Sequence, residues 1–261
     1  MFEWYVYLLA IAAGILAGII NTLAGSGSLV TLPMLLFLGL PPSVANGTNR
    51  VGVIVQNIVG IGTFKRKGAL DATGSIWYTI PAMLGAIVGA MIAVDLNEEA
   101  MNMAIGIVMI LMLIVILVDP KRWLREQSDV KPGRPSIWIL GLFFVIGIYG
   151  GFIQAGVGIF LLAGLVMGVG YNLTQANAVK LVIVLALSVA AIAVFIYNDQ
   201  VNWWLGALMA VGQSIGAWLA ARFAVGNPNA NIWVRRLLIA VIVLSILKLF
   251  GVFDLMSEMV G

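Results

Sequence analysis

The chain contains no cysteine and no histidine. The first absence excludes disulfides, thiol chemistry and cysteine metal sites. The second removes the side chain whose ordinary pKa lies nearest neutrality. Together they leave no Ser–His–Asp constellation and no His–Glu metal box. The stretch Gly25-Ser26-Gly27-Ser28 is too short, and too apolar in context, to be a phosphate loop with its lysine. No enzyme, cofactor or metal is therefore expected. Charge is scarce as well: 10% of the 261 residues are charged, against about a quarter in a soluble domain. The net charge of +3 sits mostly in short loops, where it carries topology information rather than a nucleic-acid footprint.

What fills the chain is apolar: 62% of it is hydrophobic and the mean hydropathy is +1.09. Tyr5–Leu23, Ile76–Val94, Met101–Val118 and Leu181–Tyr197 have the length a helix needs to cross a hydrocarbon core of about 30 Å. The segments do not alternate with period two, so a barrel is not indicated. The start carries Glu3 in place of basic residues and its first apolar run is long, so no cleaved signal peptide is expected. The expectation is an all-α polytopic protein, multi-pass in the plasma or inner membrane.

The first helix ends at Gly25-Ser26-Gly27-Ser28. The apolar piece after it, Leu29–Leu40, is interrupted by Pro33. Its twelve residues rise only about 18 Å as a helix, too little to cross upright. Pro41-Pro42 stops it, and Ser43 suits the N-cap of the next helix, which runs to about Phe64. Further long helices end near Asp95 and Val118. The polar, basic stretch 119–136, with Pro132 and Pro135, reads as a linker between a first transmembrane repeat, 1–118, and a second, 137–261.

The second half repeats the first at an offset of 131 residues. Gly25 falls on Gly156, Gly27 on Gly158, Gly39 on Gly170, Asn46 on Asn177 and Gly85 on Gly216. Ser43 pairs with Thr174 as N-cap, and Pro33 with Gly164 as breaker. Breakers, caps and small residues held in register across whole halves indicate internal duplication, as in many secondary transporters. About eight long transmembrane helices and two short Gly/Pro-broken segments follow. Four spans per half make the repeats parallel. Five passes make them inverted, which places Arg222, Arg235 and Arg236 on the same side as the Lys65–Lys67 loop. The rule that basic residues lie inside favours the inverted arrangement.

A helix broken inside lipid exposes backbone N–H and C=O groups that must be buried in protein or line a wet cavity. The helix resuming after the break points its positive end at the gap, a seat for an anion. The bland alternative is that Gly25, Gly27, Gly156 and Gly158 only let helices cross closely. After each break, Asn46 with Arg50, and Asn177 with Lys180, put an amide and a cation on one helix face. A cation one or two turns into a membrane helix is costly and marks function unless it snorkels to the interface. Asn49, Ser26, Ser28 and Gln154 add polar groups near the same levels, with Thr48, Gln56, Asn57, Gln175 and Ser188 as further candidates. All 11 carboxylates lie at helix ends, in loops or near the termini. A core with cations and amides but no carboxylate suits an anionic substrate and argues against a carboxylate proton relay.

At these residues the chain resembles the TauE/SafE family, the sulfite exporter or toluene sulfonate uptake permeases. The resemblance rests on G-x-x-A-G-x-x-N-x-x-A-G-S-G-S-x-x-x-x-P from Gly14 to Pro33, on G-x-P-P-x-x-A-N-G-T-N from Gly39 to Asn49, and on G-G-x-x-x-A-G-V-G from Gly150 to Gly158. It implies two four-helix repeats and a bacterial-type inner-membrane carrier of sulfite, thiosulfate, sulfoacetate or other organosulfonates. The expected partners are then a small anion and the lipid bilayer; a homodimer stays open. An anion channel on the same scaffold is the rival reading. A cation carrier is a third, but it lacks the buried carboxylates such a site needs.

Overall fold

The computed structural model describes residues 4–66, 72–118, 135–220 and 228–249. The linker's basic residues 121–134, Lys67, Arg222 and both termini lie outside them. Among the described residues every regular element is helical: α1 Trp4–Ala24, α2 Ser28–Phe37, α3 Pro42–Arg66, α4 Ala72–Val94, α5 Glu98–Val118, α6 Ile137–Phe152, α7 Val157–Ala163 with a π-helical turn Gly164–Val169, α8 Leu173–Tyr197, α9 Trp203–Leu219 and α10 Pro228–Leu249. Among the described residues, Gly74–Val94, Glu98–Val118 and Gln175–Tyr197 are long and apolar enough to cross a membrane by themselves. Large apolar side chains such as Met103, Ile107, Ile114, Trp138 and Trp204 face outward, as a surface solvated by lipid requires.

Small residues set the packing. Gly14 and Gly18 on α1 meet α9 so closely that a Cβ on Gly18 would lie 2.3 Å from the Gln213 carbonyl oxygen. Gly85 and Gly89 on α4 meet α6 in the same way, with the Ile148 carbonyl 1.9 Å from a Cβ on Gly89. Close backbone approach replaces hydrophobic driving force where the surroundings are themselves apolar. The pairs α1–α9 and α4–α6 each run parallel, since Gly14 and Gly18 meet Met209 and Gln213 while Gly85 and Gly89 meet Phe144 and Ile148. The central pair, α3 and α8, runs antiparallel: Gly47 lies against Phe195, and Gly60 against Leu181.

Three local expectations change. Pro33 does not interrupt its segment; α2 continues through it to Phe37, forgoing one backbone hydrogen bond. Its counterpart in the second half does change, because α7 passes into the π turn at Gly164. Ser43 lies inside the first turn of α3, because the Pro41 carbonyl accepts from Ala45 N and Pro42 takes the first helical place. Ser43 donates from its backbone N to Glu98 Oε2 at 3.0 Å and from its hydroxyl to Glu98 Oε1, so a carboxylate at the start of α5 caps α3. In α8 the cap is Asn172, whose Oδ1 accepts from Gln175 N at 2.9 Å, and not Thr174.

Candidate functional site

Each break is built on a left-handed glycine. Gly25 has φ +74° after α1, and Gly156 has φ +72° just before α7. An L side chain resists that conformation, so glycine ends one helix and lets the next begin within three residues. Gly25 N donates to the Asn21 carbonyl at 2.9 Å, and Gly27 N reaches the Asn21 side chain at 3.5 Å. The two breaks meet: a Cβ on Gly158 would sit 2.3 Å from the Gly25 carbonyl oxygen.

The two cations are buried, Arg50 at 0% and Lys180 at 1% exposure, so neither reaches the surface. Arg50 lies at the end of α6. It donates to the Gly150 carbonyl at 3.0 Å and the Gly151 carbonyl at 2.5 Å. Asn46 donates to the Phe152 carbonyl at 2.7 Å, and Ile153 N to the Tyr149 carbonyl at 2.9 Å. All four carbonyls that end α6 are thus satisfied, two of them by one guanidinium. The guanidinium also lies 4.7 Å from the centre of the Phe195 ring.

Lys180 is placed differently. Its ammonium donates to Asn177 Oδ1 at 2.9 Å and lies 3.2 Å from where a Cβ on Gly25 would be. A cavity opens beside it. Asn21, Gly25 and Ser28 of the first break line one side, and Gln154, Val157 and Gly158 of the second another. Lys180, Leu181 and Val184 of α8, with Val53 and Asn57 of α3, close it. About 10 Å³ there is open to the centre of a water-sized sphere, room for about one water. An oxyanion therefore needs the walls to part.

Of the residues expected to hold substrate, Gly25, Ser28, Gln154, Gly158 and Lys180 line this cavity. Ser26, Gly27, Asn46, Asn49, Arg50, Gly156 and Asn177 are not among its lining. Asn177 acts on it through Lys180. Asn49 accepts from the Thr31 hydroxyl, tying α3 to α2. Asn21 belongs to the quoted family pattern but not to the expected substrate residues, although a polar residue four before the break glycine in an apolar helix is a usable signal. No cluster of metal-ligating side chains occurs among the described residues.

Helices long and apolar enough to span, two interrupted helices meeting inside the protein, and a buried ammonium beside a polar cavity define the class: a helical membrane transporter. Residues 10–249 match the family described as sulfite exporter TauE/SafE, and the chain belongs to that family. It is similar to a probable membrane transporter protein, ORF9, of a Sinorhizobium species, at 28% identity over 90% of this chain and 88% of that one. A probable membrane transporter protein of Haemophilus influenzae is 29% identical over 82% and 84% of the two chains. For the probable membrane transporter protein YfcA of Escherichia coli the figures are 26%, 81% and 78%. No solved structure matches the chain.

Proposed function

We propose that the protein is a secondary carrier moving a small sulfur-containing anion, such as sulfite, thiosulfate, sulfoacetate or another organosulfonate, across the plasma or inner membrane. The observation that carries this reading is Lys180: a buried ammonium in a cavity walled by both helix breaks. A buried cation in a membrane protein is costly, and this one borders open space between the two breaks, as a substrate site would. The first turn of α2 begins at Ser28 on the cavity wall and adds its positive end. The family's description supplies the sulfur chemistry.

A cavity of that size is too small for such an anion, so in this reading the two halves rock apart on one side and then the other. We read these halves as inverted repeats, each with four long spans and one broken segment. The antiparallel α3–α8 pair, α3 starting at Pro42 and α8 at Leu173, supports that reading. Anion export would gain about 2.3 kcal/mol per charge per 100 mV of inside-negative potential.

The test is labelled sulfite and sulfonate flux in proteoliposomes. Flux should saturate and be stimulated by the same anion on the opposite side. Unsaturable flux without that stimulation would establish a channel instead. Lys180→Ala should lower flux by about tenfold or more, the loss of one charge-assisted interaction. Undiminished flux in that variant would remove the site from the proposal.

A further inference from the structure

The cavity holds more than positive charge. Two of its lining side chains, Asn57 and Gln154, are buried, and each has a carbonyl oxygen without a hydrogen-bond partner: Asn57 Oδ1 and Gln154 Oε1. Their amide orientations are determined by their neighbours. Asn57 Nδ2 donates to the Val53 carbonyl at 2.7 Å, and a carbonyl only accepts. Ser188 gives its hydroxyl proton to the Val184 carbonyl at 2.6 Å, so toward Gln154 it accepts, and Nε2 must be the atom that faces it. Flipping Asn57 would set oxygen against oxygen, and flipping Gln154 would make the Ser188 hydroxyl give up the Val184 carbonyl to donate to Oε1 instead.

A buried acceptor left unmade costs free energy. An anion whose every polar atom is an acceptor would worsen this, bringing its oxygens against Asn57 Oδ1 and Gln154 Oε1. Resting on the carrier reading above, we propose that this cavity takes an anion that also carries a hydrogen-bond donor. Lys180 holds its negative oxygens, and the O–H or N–H is given to the orphan carbonyl oxygens of Asn57 and Gln154. The substrate class is thereby narrowed to singly protonated oxyanions, such as hydrogen sulfite, and to sulfonates bearing a hydroxyl or amino group. Fully deprotonated or donor-free anions are disfavoured. Sites built to satisfy a ligand's hydroxyl reject the analogue lacking it more strongly than apolar pockets sort by size.

The measurement is the binding of ethanesulfonate and hydroxyethanesulfonate to the purified full chain, followed by thermal stabilisation. The two carry the same charge and differ by one hydroxyl. Hydroxyethanesulfonate should bind at least about tenfold more tightly. In Asn57→Leu with Gln154→Met the preference should fall to about twofold or less. Equal affinities in the wild-type protein, or a preference that survives in the double variant, overturn the proposal. The wild-type comparison stands even if the variant does not fold. Propionate and hydroxypropionate run beside them separate the two readings. A donor preference there, with no sulfur anion bound, supports the cavity's selectivity and sinks the sulfur assignment. Sulfonate binding without any donor preference does the reverse.

Discussion

Arg50 and Lys180 enter their helices at nearly the same depth, and both are among the largest side chains the protein buries completely. Shifted by 131 residues, Lys180 falls on Asn49 and Leu181 on Arg50. That difference of one residue, about 100° around a helix, separates two uses of a buried charge. Arg50 is spent on the end of α6, its fork bridging two carbonyls with Phe195 beneath it. Lys180 lies where the breaks meet and borders open space. A planar, multi-donor cation suits the first task and a compact, mobile one the second.

Exchanging the tasks is the sharpest way to break this comparison. Arg50→Ala leaves the Gly150 and Gly151 carbonyls unpaired in a buried setting, at about 1–3 kcal/mol each. The melting temperature in detergent should fall by the equivalent of several kcal/mol, with transport lost as a consequence. Arg50→Lys restores charge but cannot bridge both carbonyls, so it should recover part of that loss. Lys180→Ala removes a buried charge whose desolvation was itself unfavourable, so stability should change by about 1 kcal/mol or less while flux collapses. An Arg50→Ala protein that melts like wild type yet fails to transport would show the guanidinium meeting substrate instead.

The two break glycines allow a finer comparison. Gly25→Ala and Gly156→Ala face the same left-handed strain, about 1–3 kcal/mol each. Their neighbours differ. At Gly25 the new methyl meets the Lys180 ammonium, 3.2 Å away, with Gly158 backbone behind it. At Gly156 it meets the Met112 sulfur at 2.3 Å, in the middle of a completely buried side chain that must shift. The larger loss in melting temperature is expected for Gly156→Ala, but only Gly25→Ala should also weaken anion binding. Equal binding in the two variants would mean that the ammonium's position does not set affinity.

Much of the architecture can be read from residue types alone. Glycine at 25, 39, 156 and 170 is required by positive φ at each, and glycines 131 apart repeat the requirement. A left-handed backbone writes itself into sequence because one residue type meets it. The division of labour between Arg50 and Lys180 is not written that way. The partners of Arg50 are backbone carbonyls about a hundred positions away, and carbonyls have no sequence signature. Grouping both cations as substrate ligands was the natural reading of two charges at similar depth in helices. Asn57 is legible as a polar candidate, but what it and Asn21 face is not: each satisfies a bond within or near its own helix, and only the cavity shows where the rest of the side chain lies.

The starts of α3 and α8 give the smallest and most local contrast. At α8 the Asn172 side chain is the cap, exposed and acting alone. Asn172→Ala should therefore lower stability by about 1 kcal/mol, the usual loss for an N-cap. At α3 the cap is Glu98, reaching from α5. Ser43→Ala removes the hydroxyl bond but leaves the backbone N–H on the carboxylate, so about 0.5–1 kcal/mol is expected. Glu98→Gln keeps one acceptor oxygen for the Ser43 backbone N–H, replaces the other with an amide donor that the Ser43 hydroxyl can accept, and removes the charge that faces the positive end of α3. Glu98 is exposed, so the loss in this variant should shrink as salt is raised. Melting temperatures of the three variants at low and high salt decide between a cap that only finishes a helix and one that also ties α5 to the helix carrying Arg50.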